Sequence, residues 1–282
     1  MIAKDKFIEI NGLKLHYLDW GSHGKPPMLL LHGGSANAHW FDFFAPSFSK
    51  DYHVMALDLR GHGDSQSPDP PAYSTADYVS DIDMFIEKLE LKDIILIGHS
   101  MGGHNSVVYA AVSKSKRLKG LIIVDSLLYV QLENEEFYKR LRDRPLPVYN
   151  TLEEAIRRFK FFPDETYASP EMLRHIARHL VKQLSDGKWI LKFDKNAFLH
   201  WEPYDARSYI SYIECPMIYI RGEKSSVVSR DDVEEIMRSC KNGKLVEIKR
   251  AYHHVLLDNP REFEEAVRDF LDEIKTKEEE NL

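Results

Sequence analysis

Ser100 lies in the stretch of this 282-residue chain that points most clearly to chemistry. It sits in Gly98-His99-Ser100-Met101-Gly102, between the apolar run Ile94 to Ile97 and a stretch typical of a buried helix. A Gly-x-Ser-x-Gly sequence at a sharp turn from strand to helix exposes the serine Oγ above the sheet edge. Free N–H groups at the helix start would stabilise a developing oxyanion. The pattern predicts a nucleophilic serine; the alternative is a glycine-rich turn with an incidental serine.

The elements that must position this serine follow from the apolar pattern, because strands and helices alternate in both the first and the last third of the chain. The first two predicted strands flank Asn11-Gly12, a pair suited to a type I′ hairpin turn. The alternation predicts an α/β fold with a mostly parallel sheet covered by helices on both faces. The predicted strands are Lys6 to Ile10, Leu13 to Trp20, Met28 to Leu31, Tyr52 to Leu57, Ile94 to Ile97, Leu118 to Val124, Met217 to Ile220 and Lys244 to Ile248.

The middle of the chain, residues 126–207, has a different pattern. Charged helical stretches are predicted at Glu133 to Arg142, Leu152 to Phe161 and Pro170 to Leu184, with prolines between them and many aromatic residues. We interpret residues 126–207 as an inserted helical cap. Residues 1–125 and 208–282 then form the core domain.

Four motifs carry a resemblance to a known family. They are His32-Gly33-Gly34, Asp58 to Ser65, Gly98 to Gly103 and, near the end, Ala251-Tyr252-His253-His254 with Asp258-Asn259-Pro260. Spread over most of the chain in this order, they resemble the α/β-hydrolase fold family, and within it the capped serine esterases of the carboxylesterase type. The resemblance implies an eight-stranded α/β-hydrolase sheet with an inserted cap. It is far less specific for the substrate.

The resemblance also implies roles for individual residues. Ser100 is the expected nucleophile, and His253 is the expected general base that takes its proton. His253 is preferred to His254 because the family's histidine precedes the proline by seven positions. The backbone N–H groups of Gly34 and Met101 are the expected oxyanion hole.

The acid that should orient His253 departs from the family pattern. Its usual positions, three or four residues after Gly222, hold Ser225 and Ser226, which cannot ionise usefully. We hypothesise that Asp125 is the acid, because it directly follows an apolar strand and lies at the carboxyl edge of the predicted sheet. Glu223 stays open as an alternative.

Composition limits the classes of partner. A net charge of −7 with no basic stripe argues against nucleic acid. The chain shows no signal-like segment and no apolar run long enough to span a membrane, and its two cysteines form no disulfide framework, so we expect a cytoplasmic protein, as a monomer or homodimer. His175 and His179 have a spacing that could bind a metal. Since no carboxylate or cysteine of matching spacing accompanies them, we interpret them as a solvent-facing pair, and we expect no cofactor and no metal.

The sequence therefore predicts a serine hydrolase that cleaves carboxylic esters of small, largely apolar molecules. Among the cap aromatics, Trp189, Trp201 and Tyr129 are the candidates for binding the substrate. Two enzyme alternatives remain, a lactonase and a hydrolase of carbon–carbon bonds in diketones. A ligand receptor on a hydrolase scaffold is the alternative from another class.

Overall fold

The structure is a computed structural model that describes residues 2–113, 117–129 and 145–280. The helix predicted at Glu133 to Arg142 lies outside the described residues. None of the helices within these three ranges is both long enough and apolar enough to cross a bilayer.

The chain opens with the predicted hairpin. Strand β1 (Lys4–Ile10) pairs antiparallel with β2 (Leu13–Asp19). The turn residues Asn11 and Gly12 both have positive φ, 50° and 78°, as a type I′ turn requires. The prediction for this segment is confirmed.

The main sheet has eight strands, as predicted. After the hairpin come β3 (Pro27–Leu31), β4 (His53–Leu57), β5 (Ile94–His99), β6 (Leu118–Val124), β7 (Met217–Gly222) and β8 (Gly243–Ile248). The order in the sheet is β1-β2-β4-β3-β5-β6-β7-β8. Only the β1–β2 and β2–β4 pairs are antiparallel. Strands β3 to β7 are buried on both faces over most of their length, which explains their nearly continuous apolar runs, whereas the edge strand β8 is more exposed.

Helices cover both faces of the sheet, each over its own hydrophobic cluster. One cluster includes Phe48, Phe263 and Phe270, and the other includes Phe85 and Val108. Two 3₁₀ helices span Ala38–Phe41 and Ala206–Tyr212. The α-helices are α1 (Ala45–Phe48), α2 (Thr75–Lys88), α3 (Met101–Val112), α4 (Leu152–Arg158), α5 (Pro170–His179), α6 (Asn196–Leu199), α7 (Arg230–Met237), α8 (Val255–Asp258) and α9 (Pro260–Glu280).

The segment between β6 and β7 is less helical than predicted. Besides α4, α5 and α6 it contains a three-stranded antiparallel sheet of Val148–Tyr149, Trp189–Leu191 and Val181–Gln183. The helix predicted at Pro170 to Leu184 ends at His179, and Val181–Gln183 forms a strand instead. The chain then turns back at Gly187, whose φ is +83°, into the strand Trp189–Leu191. We call residues 126–207 the intervening segment.

Candidate active site

Ser100 occupies the sharp turn between β5 and α3. Its φ of 52° and ψ of −121° lie outside the regions that residues with a side chain prefer. The turn is held by a hydrogen bond from Ser100 N to the carbonyl of Val124, 2.9 Å long, and by one from Ser126 Oγ to the Ser100 carbonyl, 2.7 Å long. A Cβ on Gly102 would lie 2.3 Å from the carbonyl oxygen of Leu31, so only glycine fits there. The strained turn predicted from the sequence is therefore present.

His253 and Asp125 come together from distant parts of the chain. Asp125 directly follows β6 and is fully buried, and its N–H donates to the Ile220 carbonyl on neighbouring β7 at 2.8 Å. His253 lies in the loop between β8 and α8. Its Nδ1 donates to Asp125 Oδ2 at 2.7 Å. This bond fixes the tautomer of the imidazole and leaves Nε2 as an acceptor.

The loop after β7 supports Asp125 instead of supplying a carboxylate. Ser225, at a usual position of the acid, donates its hydroxyl to Asp125 Oδ2 at 2.6 Å. The Gly222 N–H donates to Asp125 Oδ1 at 3.0 Å. Glu223 points elsewhere, because its Oε2 accepts the N–H of Arg250 at 3.0 Å. Sequence reasoning saw that Ser225 cannot ionise but missed that it can donate to the acid.

Burial shifts the pKa of both His253 and Asp125. It lowers the pKa of the His253 imidazole and raises the pKa of the Asp125 carboxyl. The hydrogen bonds from Ser225 and Gly222 oppose the shift of the Asp125 pKa, because they stabilise the carboxylate. His253 is consequently a neutral imidazole at pH 7, the form that can accept a proton.

Two backbone amides lie beside Ser100. Gly33 is close enough that a Cβ there would be 3.0 Å from the Ser100 Cβ, which brings the Gly33-Gly34 loop alongside the nucleophile. Met101 is the first residue of α3, where N–H groups have no partner within the helix. In the described parts of the chain we find no hydrogen bond donated by the Gly34 or Met101 amide. Both amides can therefore donate to a ligand.

Two cavities meet at Ser100. The first, of about 510 Å³, lies against α4, Phe161 and Leu191 of the intervening segment. The second, of about 430 Å³, includes Trp201 and Val227. The residues shared by both cavities are Gly34, Ser100, Phe162, Pro163, Phe198 and His253. A ligand bound at Ser100 could therefore extend in two directions.

The three aromatic residues predicted to bind substrate have different positions. Trp201 lines the second cavity. Trp189 packs instead in a small cluster with Tyr149 and Val181, and it lines neither cavity at Ser100. Tyr129 also lines neither of them, and its ring is covered by the guanidinium of Arg207 at 3.8 Å.

Other aromatic residues line the cavities and were not singled out from the sequence. The density of aromatics in residues 126–207 indicated that some of them would face a ligand site, but a pattern along the chain could not show which. Trp40 comes from the core, just after the Gly33-Gly34 loop. The first cavity is lined by Trp40, Phe159, Phe161, Phe162, Phe193 and Phe198.

Two further histidines surround His253 but have other partners. His99 Nε2 donates to the His253 carbonyl at 3.0 Å, and His254 Nε2 donates to the Pro163 carbonyl at 2.8 Å. Burial lowers the pKa of His254 to about 3, and it also lowers that of His99. The two bonds show that His99 and His254 contact backbone carbonyls and help to hold the loop that carries His253.

Comparison with known proteins agrees with this geometry. The model of the α/β-hydrolase fold family matches residues 26–260, which include every strand from β3 to β8. The chain belongs to the α/β-hydrolase fold family.

Relatives of this α/β-hydrolase include enzymes named for ester cleavage. Monoacylglycerol lipase ABHD6 of Mus musculus is 27% identical, over 88% of this chain and 76% of the lipase. Esterase Rv0045c of Mycobacterium tuberculosis is 27% identical, over 90% of this chain and 85% of the esterase. The crystal structure of E-2-(acetamidomethylene)succinate hydrolase is 24% identical, covers 96% of this chain and 99% of its own, and has a TM-score of 0.83. That structural likeness concerns the fold.

Proposed function

We propose that this α/β-hydrolase is a serine hydrolase that cleaves carboxylic esters of small, largely apolar molecules through an acyl-enzyme intermediate. The observation that carries the proposal is the 2.7 Å bond from His253 Nδ1 to the buried Asp125, beside a serine in a strained turn. A serine hydroxyl becomes a useful nucleophile only when such an oriented base accepts its proton.

Acylation begins when Ser100 Oγ attacks the ester carbonyl carbon while His253 Nε2 accepts the hydroxyl proton. The new imidazolium is stabilised by Asp125, which stays a carboxylate. The tetrahedral oxyanion accepts hydrogen bonds from the Gly34 and Met101 N–H groups. When the C–O bond breaks, His253 gives its proton to the leaving alcohol, and Ser100 retains the acyl group.

Deacylation repeats these steps with water. His253 accepts a proton from the water as it attacks the acyl carbon, and then returns that proton to Ser100 Oγ. The products are a carboxylic acid and an alcohol. Every proton in the cycle is carried by His253, so the residues of this chain suffice for the reaction.

The two cavities at Ser100 support a substrate with an arm on each side of the carbonyl. The lining of the second cavity is mostly apolar and includes Leu127, Ala197, Phe198, Trp201 and Val227, with Glu165, His104 and Ser226 among its polar residues. We assign it to an apolar part of the substrate. The larger first cavity holds the other part, below the aromatic residues of the intervening segment.

The intervening segment, residues 126–207, acts in this proposal as the cap over a core of residues 1–125 and 208–282. Contacts at the catalytic loop support that role. His254 Nε2 donates to the carbonyl of Pro163, and Asp258 Oδ1 accepts the N–H of Tyr167 at 2.6 Å. These bonds connect the cap directly to the loop that carries His253.

A panel of esters, lactones and diketones, tested on the wild type and on Ser100→Ala, examines the proposal. We expect hydrolysis of p-nitrophenyl esters, with an initial burst of one equivalent, and almost none in Ser100→Ala. Alanine fits the turn as serine does, so a native circular dichroism spectrum is the control. If the protein turns over lactones or diketones but not esters, the proposed ester substrate is wrong and that other class takes its place. Tight binding without any burst would make the protein a receptor.

A further inference from the structure

A cluster of four side chains joins the cap to the core away from Ser100. His175 and His179 lie on one face of α5, four residues apart. His39 belongs to the 3₁₀ helix Ala38–Phe41 of the core, and Asp42 follows it directly. One nitrogen of each imidazole and one oxygen of the carboxylate all lie within 4.8 Å of one another.

The groups of this cluster converge on a single carboxylate oxygen. Asp42 Oδ2 is 2.9 Å from His39 Nδ1 and 2.6 Å from His175 Nε2. The ring of His179 stacks on that of His39, with the ring centres 3.7 Å apart. All four side chains are partly exposed, so an ion from solvent can reach them.

The donor types also suit a metal. Imidazole nitrogen and carboxylate oxygen are groups that ligate first-row transition metals.

We propose that His39, Asp42, His175 and His179 bind one divalent transition-metal ion, with Zn²⁺ the best match. Three imidazole nitrogens and one carboxylate oxygen are a ligand set that zinc takes, and two histidines four apart on a helix are a recurrent part of such sites. The ion takes the place of the protons between Asp42 and the two imidazoles, and each proton moves through solvent to the other nitrogen of its ring.

The distances allow this with a small contraction. Zinc binds nitrogen and oxygen at about 2.0–2.2 Å, so tetrahedral ligand atoms are roughly 3.4 Å apart. The widest pair of ligand atoms here, up to 4.8 Å apart, must close by about 1.4 Å. The two Asp42 contacts are already shorter than the tetrahedral separation of roughly 3.4 Å. Rotation of the partly exposed His175 side chain, which is 36% accessible, supplies such a movement.

Another cluster of the same residue types is a useful contrast. Asp19, His23 and His53 also bring their ligand atoms within 4.8 Å of one another. There the cation already present is Lys6, whose Nζ lies 2.6 Å from Asp19 Oδ2. Metal binding at Asp19 would place a second cation beside Lys6 on one carboxylate, so we expect no metal binding there.

An ion in the first cluster would fasten the cap to the core near the oxyanion loop. Asn37, three residues after Gly34, already donates its side-chain amide to the His179 carbonyl at 3.0 Å. The metal would join two ligands of the core, His39 and Asp42, to two ligands on α5, His175 and His179. Because it binds only the folded chain well, it should raise the melting temperature in proportion to the logarithm of its free concentration.

The test is equilibrium dialysis of the whole chain, purified without a polyhistidine tag, against Zn²⁺ alone and against Co²⁺ as a coloured probe. We expect one equivalent per chain, a visible Co²⁺ absorption band and a higher melting temperature. Removing an outer partner of a ligand typically costs about 10–100-fold in affinity, so His175→Gln and Asp42→Asn should each cost about 100-fold or more.

His23→Gln in the contrasting cluster is the matched control and should leave the affinity unchanged. A wild type that takes up no stoichiometric metal at micromolar concentration contradicts the proposal. So does His175→Gln with wild-type affinity, or a loss of binding in His23→Gln. His175 is partly exposed and lies outside the catalytic residues, so a native circular dichroism spectrum and a cooperative thermal transition of the metal-free variant show that it is folded.

Discussion

Asp125 leaves β6 with a positive φ of 44°, and this conformation directs its carboxylate beneath the catalytic loop. Each of its oxygens accepts a hydrogen bond, one from Ser225 in the loop after β7 and one from Gly222, the last residue of β7. The carboxylate is thus fixed before His253 binds to it. A buried carboxylate held in this way can keep an imidazole in one orientation throughout a catalytic cycle.

Asp125→Asn should therefore lower kcat by about 10²- to 10⁴-fold, because the amide favours the wrong tautomer of His253; the larger figure is the loss that the same change causes in a Ser-His-Asp protease. The measurement is kcat on a p-nitrophenyl ester. Glu223→Gln is the matched control and should change kcat little, since Glu223 bonds to Arg250 and not to His253.

A rescue variant sharpens this test. Ser225 Oγ is 2.6 Å from Asp125 Oδ2, so an aspartate at position 225 brings a carboxylate close to His253. Ser225→Asp in the Asp125→Asn background should recover part of kcat. Near-wild-type turnover in Asp125→Asn, with loss in Glu223→Gln, would assign the acid to Glu223 instead.

Motif and topology made different parts of the candidate site predictable. Ser100 and His253 follow from local motifs, since each motif determines its own turn. Asp125 follows β6 and His253 follows β8, so their pairing depends on β6, β7 and β8 being neighbours in the sheet. The strand pattern alone does not give that order, which came from the resemblance to the α/β-hydrolase fold. The support from Ser225 could not be predicted, because it depends on a side-chain contact across 100 positions.

At the scale of elements, the intervening segment was predicted less well than the core. The central strands β3 to β7 are largely buried on both faces, so their apolar runs identify them. The strands Val181–Gln183 and Trp189–Leu191 have only three residues each, too few to show a period. The turn between them contains Asp186-Gly187, a hairpin signal that the helical reading of this region passed over. Trp189 was proposed to bind substrate from the density of aromatic residues around it, and that density could not show that it packs in this small sheet.

Trp201 and Trp189 make a matched pair for testing what the segment does. Trp201→Ala should change the ratio of kcat/KM between long and short acyl esters by about 10-fold, because it opens one wall of the second cavity, and a few buried methylenes carry that much selectivity. Trp189→Ala should leave the ratio unchanged. Equal effects of the two variants would mean that the second cavity does not hold the acyl chain.

Across the whole molecule, Asp258 connects the loop that carries His253 to the intervening segment. One of its oxygens accepts the N–H of Tyr252 on that loop at 2.7 Å, and the other accepts the N–H of Tyr167 in the intervening segment. The His39–His179 cluster is a second junction, on the side of the oxyanion loop. Such junctions escape prediction, because their members are 91 to 140 positions apart and spacing carries no signal at that range.

The central claim is that Ser100 is the nucleophile of this fold. A fluorophosphonate probe forms a covalent bond with an activated serine, and peptide mass spectrometry locates it. We expect one label per chain, on Ser100, and none in Ser100→Ala. His253→Ala should also lose the label, since Ser100 would lack its base. Labelling of another serine, or no labelling of a folded wild type that hydrolyses esters, would contradict the account.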